Sequence, residues 1–128
     1  MIRKDIYKVA KNFRLAILEA KHNGEFNWRN RLSNFPRGCC DDACDLLAYY
    51  LQETYGICTM QGNGVYRDDN PDNTTSHAWL IIGNDLIVDI TIEQFAWISG
   101  ITDEIYIGSS SVFHENLEDK KIYENCDM

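Results

Sequence analysis

Apolar residues recur along the chain with two different periods, and each period predicts a different kind of element. In two segments the spacings are three and four, which is typical of amphipathic helices. The first segment contains Ile6, Val9, Ala10, Phe13, Ala16, Ile17 and Ala20, and the second contains Ala43, Leu46, Leu47, Tyr50, Leu51 and Tyr55. Asn23-Gly24 follows the first segment and Gly56 the second. These residues predict where the two helices end, because they readily adopt the left-handed conformation of a helix terminus.

After Gly56 the pattern becomes that of strands and turns. A short strand is predicted over residues 57–60, followed by a long loop over residues 61–76, QGNGVYRDDNPDNTTS, which is rich in Gly, Asn and Asp. The segments SHAWLII and LIVDIT flank Gly83-Asn84-Asp85 and predict a β-hairpin. EIYIGS, from Glu104, predicts a further strand, whereas the polar tail beyond Phe113 shows no clear pattern.

Helices followed by strands predict an α+β fold, in which the N-terminal helices pack on an antiparallel sheet. The chain of 128 residues has the length of one domain, so a single domain is expected over residues 1–128. No internal repeat or linker interrupts it.

The net charge and the apolar runs of the chain indicate which classes of partner and which compartment to expect. The formal net charge of −8 argues against nucleic acid as a partner, because phosphate binding depends on clustered Lys and Arg. No apolar run approaches the ~18 residues that a membrane span needs, and charges interrupt the N-terminal segment where a signal peptide would be apolar. We therefore expect no membrane partner and a cytoplasmic protein whose five cysteines stay thiols. Delivery into another cell by a signal-independent route stays open, as does the oligomeric state.

The stretch FPRGCCDDAC places Cys39, Cys40 and Cys44 at the start of the second predicted helix. Zinc is one interpretation, with Cys40, Cys44 and His77 as ligands, but no second close pair of ligands follows. DDNPDN opens like a calcium-binding loop, yet the sequence lacks the glycine and the glutamate that such a loop requires at its sixth and twelfth positions. No metal is therefore expected, and structural zinc stays an alternative that metal analysis would test.

Nucleophilic catalysis is the other interpretation of the cluster. A helix N-terminus and a nearby imidazolium both stabilise a thiolate, and Cys40 has the first by position. His77 opens one predicted strand and Asp89 lies on the next. If the hairpin loop is the three residues Gly83–Asp85, His77 and Asp89 lie on the same face as diagonal neighbours. A two-residue loop would place them on opposite faces.

The remaining cysteines and the acidic residues beside them have simpler interpretations. Cys44 and Cys58 are predicted to be small, buried apolar residues. Asp41 and Asp42 suit a helix N-terminus and are expected to point to solvent.

FPRGCCDDACDLLAYYL, SHAWLII and LIVDITIEQF, taken together, resemble the papain-like thiol enzymes of bacteria. The likeness is closest to the small papain-fold domains of toxins and effectors, which include glutamine deamidases of the dermonecrotic-toxin type. Their pattern has a Cys after a Phe-Pro-x-Gly-x turn, then a His-Ala-Trp strand, then an Asp strand followed by Gln. The transglutaminase-like group shares the order Cys, His, Asp. The resemblance covers roughly residues 35–95 and implies a papain-like fold.

By position, the resemblance implies that Cys40 is the nucleophile, ahead of the adjacent Cys39. His77 would be the base, Asp89 would orient it, and Gln94 would be an oxyanion-hole or active-site amide. The extra Cys39 and a chain shorter than a papain peptidase are departures from the family pattern. The short chain leaves little material for an extended cleft, which favours a side-chain amide or a chain terminus as substrate.

The implied function is that of a cysteine-dependent amide hydrolase or acyl transferase without a cofactor. The expected partner is a protein or peptide that presents a carboxamide, with deamidation of glutamine side chains as the favoured reaction. A cysteine peptidase of the same fold is the nearest alternative, and a non-catalytic binding or immunity-type module that keeps the fold is the other. The loop over residues 61–76 is expected to cover the site or to recognise the substrate.

Overall fold

Two long helices precede five strands along the chain. A computed structural model of the protein describes residues 3–27, 29–35, 39–83, 85–100, 103–109 and 111–125. The helices are α1 (Arg3–His22), α2 (Cys40–Tyr55) and the single turns α3 (Ala96–Ser99) and α4 (Val112–Glu115). The strands are β1 (Thr59–Tyr66), β2 (Thr75–Ile82), β3 (Leu86–Asp89), β4 (Tyr106–Gly108) and β5 (Glu118–Glu124). The two predicted helices are confirmed, and α2 ends at a left-handed Gly56 with φ 66°.

The strands form one sheet in the order β4-β3-β2-β1-β5, and all the paired neighbours are antiparallel. This confirms the α+β class with an antiparallel sheet. In the β2–β3 hairpin Ile82 pairs with Leu86, so the loop is the three residues from Gly83 to Asp85. Asn84 of this loop lies outside the described residues. The register is the one that places His77 and Asp89 on the same face of the sheet.

The predicted loop over residues 61–76 is wrong at both ends, because β2 begins at Thr75 and β1 continues to Tyr66. Two glycines in this strand misled the prediction, since glycine is more common in turns than in strands. Here each glycine makes room for a large neighbour. A Cβ on Gly62 would lie 2.5 Å from the indole of Trp79, and a Cβ on Gly64 would lie 2.7 Å from the Cβ of Leu117. The loop that remains runs over residues 67–74.

The C-terminal third also contains more structure than its polar sequence indicates. The strand predicted from Glu104 is confirmed as β4, although it begins two residues later, at Tyr106. The tail beyond Phe113 forms the rest of α4 and then the edge strand β5, which is exposed along its whole length. An exposed edge strand has no buried face, so it lacks the alternating apolar pattern that would have predicted it.

The two faces of the sheet pack against different layers. Helices α1 and α2 cover the face that carries Leu80 and Val88, and they form the larger core with it. The opposite face carries Trp79 and Ile81, which pack in a second cluster with Ile92, Phe95, Phe113 and Leu117. Among the described residues, no helix combines the length and the apolar character that crossing a membrane requires.

The two cysteines predicted to be small and buried, Cys44 and Cys58, do not behave alike. Cys44 is buried in the core, as predicted. Cys58 is exposed and disulfide-bonded. The predictions that Cys58 is small and buried and that all five cysteines stay thiols are therefore wrong, because this residue lies in the surface connection between α2 and β1 and is part of a disulfide.

Candidate active site

Cys40 is the first residue of α2, a helix of 16 residues, and its side chain is free and half-buried. At this position the unpaired backbone N–H groups and the positive end of the helix dipole favour a negative charge. The turn Pro36–Gly38, which precedes it in the sequence motif, lies outside the described residues. Asp41 is exposed, as predicted, and Asp42 is partly exposed and forms an ion pair with Arg31 at 3.0 Å.

The two cysteines beside Cys40 are poor candidates for a nucleophile. Burial, followed by the charges of Cys40 and Asp42, raises the pKa of Cys39 to about 11. Burial, followed by the charge of Asp89, raises the pKa of Cys44 well above its ordinary value. A thiol that stays protonated and buried reacts slowly, because the thiolate is the nucleophile. Of the three free cysteines among the described residues, Cys40 alone is open to solvent in part.

His77 and Asp89 are hydrogen-bonded across the β2–β3 hairpin. The Nε2 atom of His77 lies 2.5 Å from Oδ2 of Asp89, and each residue is only 1% exposed. Burial raises the pKa of Asp89, but the charge of His77 and hydrogen bonds from His114 and His77 outweigh it and hold this pKa well below its usual range. An ionised carboxylate only accepts hydrogen bonds. The network therefore assigns the proton to Nε2 of His77, with Nδ1 as the free nitrogen of the neutral ring.

The environment of His77 favours its protonated form. Burial lowers the pKa of His77, but the charge and hydrogen bond of Asp89, followed by those of Cys40, raise it to about 9. Nδ1 makes no hydrogen bond of standard geometry among the described residues. The Cys40 thiol nevertheless lies close enough to His77 to contribute to the rise in this pKa. Nδ1 is the nitrogen that is available to take the thiol proton.

A second histidine completes the cluster. His114, in α4, lies with its Nε2 atom 2.7 Å from the same Oδ2 of Asp89, and it is 2% exposed. The other oxygen of Asp89 accepts hydrogen bonds from the backbone N–H of Thr91 at 3.0 Å and from its hydroxyl at 3.4 Å. His114 was not among the sequence-based candidates, because it lies in the polar tail and shares no motif with His77. The signal that could have found it is only that the chain has 3 histidines.

Aromatic rings surround His77. The ring of Phe95 packs edge-on against it with centroids 4.7 Å apart, and Trp79 and Phe113 lie 5.9 Å and 6.0 Å away. These rings keep water from the imidazole and lower the local dielectric constant, which strengthens its interaction with the carboxylate.

Gln94 lies in the 3₁₀ turn Ile92–Phe95, next to the phenylalanine that contacts His77. Its Nε2 atom is buried and has no hydrogen-bond partner among the described residues. A buried amide donor without a partner is costly, and it is suited to an oxyanion that arrives with the substrate. Among the described residues, Nε2 of Gln94 donates no hydrogen bond to Cys40, His77 or Asp89. Its role in an oxyanion hole therefore stays a prediction.

The same cluster meets one condition for a metal site. His77, Asp89 and His114 bring one donor atom each to within 4.8 Å of one another. However, the N–O separations of 2.5 Å and 2.7 Å are those of hydrogen bonds. Ligands on tetrahedral zinc, with bonds of about 2.0–2.1 Å, lie roughly 3.3 Å apart. The zinc ligands considered from the sequence were Cys40, Cys44 and His77. Among the described residues, the donor atoms that lie close together are instead those of His77, Asp89 and His114.

The geometry of the site is thus a half-exposed cysteine at a helix start, a histidine beside it, and a buried aspartate that holds the histidine. These groups can form a thiolate–imidazolium pair, which is the starting state for attack on a carbonyl carbon. Comparison of the chain with protein-family models, curated proteins and solved structures yields no match.

Proposed function

We propose that the protein is a papain-like, cysteine-dependent amide hydrolase or acyl transferase that acts on a carboxamide of a partner polypeptide. The observation that carries the proposal is the orientation of His77. Its Nε2 atom is bound to a buried, ionised Asp89, and its Nδ1 atom is left for Cys40. Each group in this order has the role that nucleophilic catalysis requires: thiol, base, and the acid that orients the base.

The proposed reaction begins when Nδ1 of His77 takes the proton of the Cys40 thiol. The thiolate attacks the carboxamide carbon, and the developing oxyanion accepts hydrogen bonds from the first backbone N–H groups of α2 and from Nε2 of Gln94. The imidazolium of His77 then gives its proton to the departing nitrogen, which leaves as ammonia or as an amine. Throughout, Asp89 stays ionised and stabilises the imidazolium.

The thioester on Cys40 is resolved by a second nucleophile. Water, with its proton taken by His77, gives a carboxylate and restores the thiol. An amine in place of water gives transfer to a new amide, by the same proton movements. Because deamidation and transfer share the thioester, the choice between them depends on which nucleophile reaches it first.

Glutamine side chains are the proposed substrate, on the strength of the sequence resemblance to glutamine deamidases. A peptidase of the same type is the second candidate. The loop over residues 67–74 leads directly into β2 and His77, and we assign it to substrate recognition.

The first experiment measures the iodoacetamide labelling rate of each free cysteine against pH, by mass spectrometry, in the wild type and in His77→Ala. His22→Ala is the matched control, because it removes an exposed histidine of α1. The proposal expects Cys40 alone to label quickly below pH 7, to lose this advantage in His77→Ala and to keep it in His22→Ala. Slow, ordinary thiol behaviour at Cys39, Cys40 and Cys44 would overturn the proposal in favour of a binding module that keeps the fold.

Where Cys40 reacts as expected, glutamine-containing proteins and peptides are then screened by mass spectrometry. Conversion of a side-chain amide to an acid indicates deamidation, a new cross-link indicates transfer, and cleavage indicates a peptidase. Cys40→Ser is the inactive control for all three.

A further inference from the structure

One carboxylate oxygen in the core serves two imidazole rings from distant parts of the chain. Oδ2 of Asp89 lies 2.5 Å from Nε2 of His77 and 2.7 Å from Nε2 of His114, and all three residues are buried. We propose that His114 is a positioning residue of the candidate site, which acts on His77 through this shared oxygen. The inference rests on the proposed function, and it adds to the Cys-His-Asp set a member that the sequence motif does not contain.

The ring of His114 is held firmly in place. Ser111 caps α4, and its hydroxyl accepts a hydrogen bond from the backbone N–H of His114 at 3.3 Å. The imidazole packs edge-on against Trp79, with centroids 4.9 Å apart, and lies 5.7 Å from the ring of Tyr106. Because backbone and ring are both fixed, the Nε2–H group is aimed at Asp89 before any substrate arrives.

Together, His114 and Thr91 fix both oxygens of the carboxylate. Thr91 holds Oδ1 through its backbone N–H and its hydroxyl, and His114 holds Oδ2. A carboxylate fixed at both ends cannot rotate, so Oδ2 stays directed at Nε2 of His77. That bond fixes the tautomer of His77 and leaves Nδ1 for Cys40.

Sharing the oxygen also limits the base strength of His77. As a neutral donor, His114 takes part of the negative charge on Oδ2, and as a cation it would also repel the imidazolium of His77. Both effects lower the proton affinity of His77. Loss of the His114 donor is therefore expected to raise the pKa of His77, whichever protonation state His114 has.

Other titratable groups face this cluster, and the test leaves them unchanged. They are Cys40 and Cys44 from α2, Tyr106 from β4, Glu115 in α4 itself, and Asp85 and Lys120 at the rim beside His114.

Two substitutions separate hydrogen bonding from packing. His114→Phe keeps an aromatic ring against Trp79 but has no donor, whereas His114→Gln carries an amide N–H₂ that can reach the position of Nε2. The side-chain ¹⁵N NMR signals of His77 are recorded against pH in both variants and in the wild type. These signals report its tautomer and its pKa directly, without any substrate.

The expected result is a rise of at least ~0.5 unit in the pKa of His77 in His114→Phe, with His114→Gln close to the wild type. An unchanged titration and tautomer of His77 in folded His114→Phe would overturn the inference and leave His114 as a packing residue. If His114→Phe does not fold, His114→Asn takes its place with the same two outcomes, because its shorter amide falls short of Asp89. Failure of the proposed function is a separate result, since it appears as slow labelling of Cys40 in the wild type.

Discussion

The guanidinium of Arg14, buried on the inner face of α1, donates a hydrogen bond of 2.6 Å to the carbonyl oxygen of Ile90, the residue that follows Asp89. A second N–H group of Arg14 is hydrogen-bonded to Glu93, in the turn that carries Gln94. The guanidinium also lies 5.2 Å from the ring centre of Phe35. One buried cation thus links the first helix to the segment that contains the acid of the candidate site.

We expect Arg14→Met to lower the free energy of unfolding by ~1–3 kcal/mol, because the carbonyl of Ile90 loses its charged donor. Arg14→Lys keeps the charge but not the planar fork, so it should lose less than Arg14→Met. Guanidinium chloride unfolding, followed by circular dichroism, measures both.

Glu93→Gln is the matched control for the Arg14 variants. Glu93 is partly exposed, with 34% of its side chain accessible, so its ion pair with Arg14 is screened by water. A loss in Glu93→Gln as large as that in Arg14→Met would show that the ion pair, rather than the bond to Ile90, carries the effect.

Substitution of Cys39 and Cys40 in turn should show which of the two neighbouring thiols is the reactive one. In Cys39→Ala one rapidly labelled thiol is expected to remain, because Cys39 is buried and its pKa is raised to about 11. In Cys40→Ala no rapidly labelled thiol should remain at the start of α2. Labelling with iodoacetamide at neutral pH and mass spectrometry of the peptides distinguish the two. Loss of rapid labelling in Cys39→Ala, with the fold intact, would make Cys39 the nucleophile.

Gly62→Ala should destabilise the protein by ~1–3 kcal/mol, because the new methyl group would overlap the indole of Trp79. Trp79→Phe removes the part of the ring that meets this methyl group. The double variant should therefore lose less stability than the sum of the two single losses, which denaturant unfolding of all three can measure. Strict additivity would mean that β1 moves aside without contacting Trp79.

The stability of the fold should depend on pH through His77. Its pKa is raised to about 9 in the folded state, against about 6.5 in an unfolded chain. The folded protein therefore binds more protons than the unfolded chain between these values, and this contribution is fully present below pH ~6.5 and is lost as the pH rises through ~9. The difference in unfolding free energy between wild type and His77→Gln should accordingly shrink from pH 6.5 to pH 9. A constant difference would mean that His77 has the same pKa in both states.

Much of the site was predictable because its signals are local. The loop Gly83–Asp85 sets the hairpin register, and the register alone brings His77 and Asp89 to one face. The first helical residue of α2 is equally local, since the apolar stripe and Gly56 define that helix. Where a few adjacent residues decide the geometry, the sequence pattern was sufficient.

The rest depends on contacts between distant segments. His114 reaches Asp89 from 25 positions along the chain, and Arg14 reaches Ile90 from 76. No periodicity encodes such a contact. A buried arginine on the apolar face of a helix departs from the amphipathic pattern, and the sequence does not show which groups it binds. Gly62 misled for the same reason, because the indole that requires it belongs to another strand.

The outer edge of the sheet has a consequence for how the protein behaves in concentrated solution. Among the described residues, β5 has a neighbouring strand on one side only, and it exposes Ile122. Its neighbours Lys120 and Lys121 are also exposed, and Asp119 adopts a left-handed φ of 53° that disturbs the regular extension of the strand. A further strand that paired with this edge would have to desolvate these charges and follow an irregular backbone. The strand at this edge of the sheet therefore also disfavours pairing with a further strand from another molecule, and so disfavours aggregation.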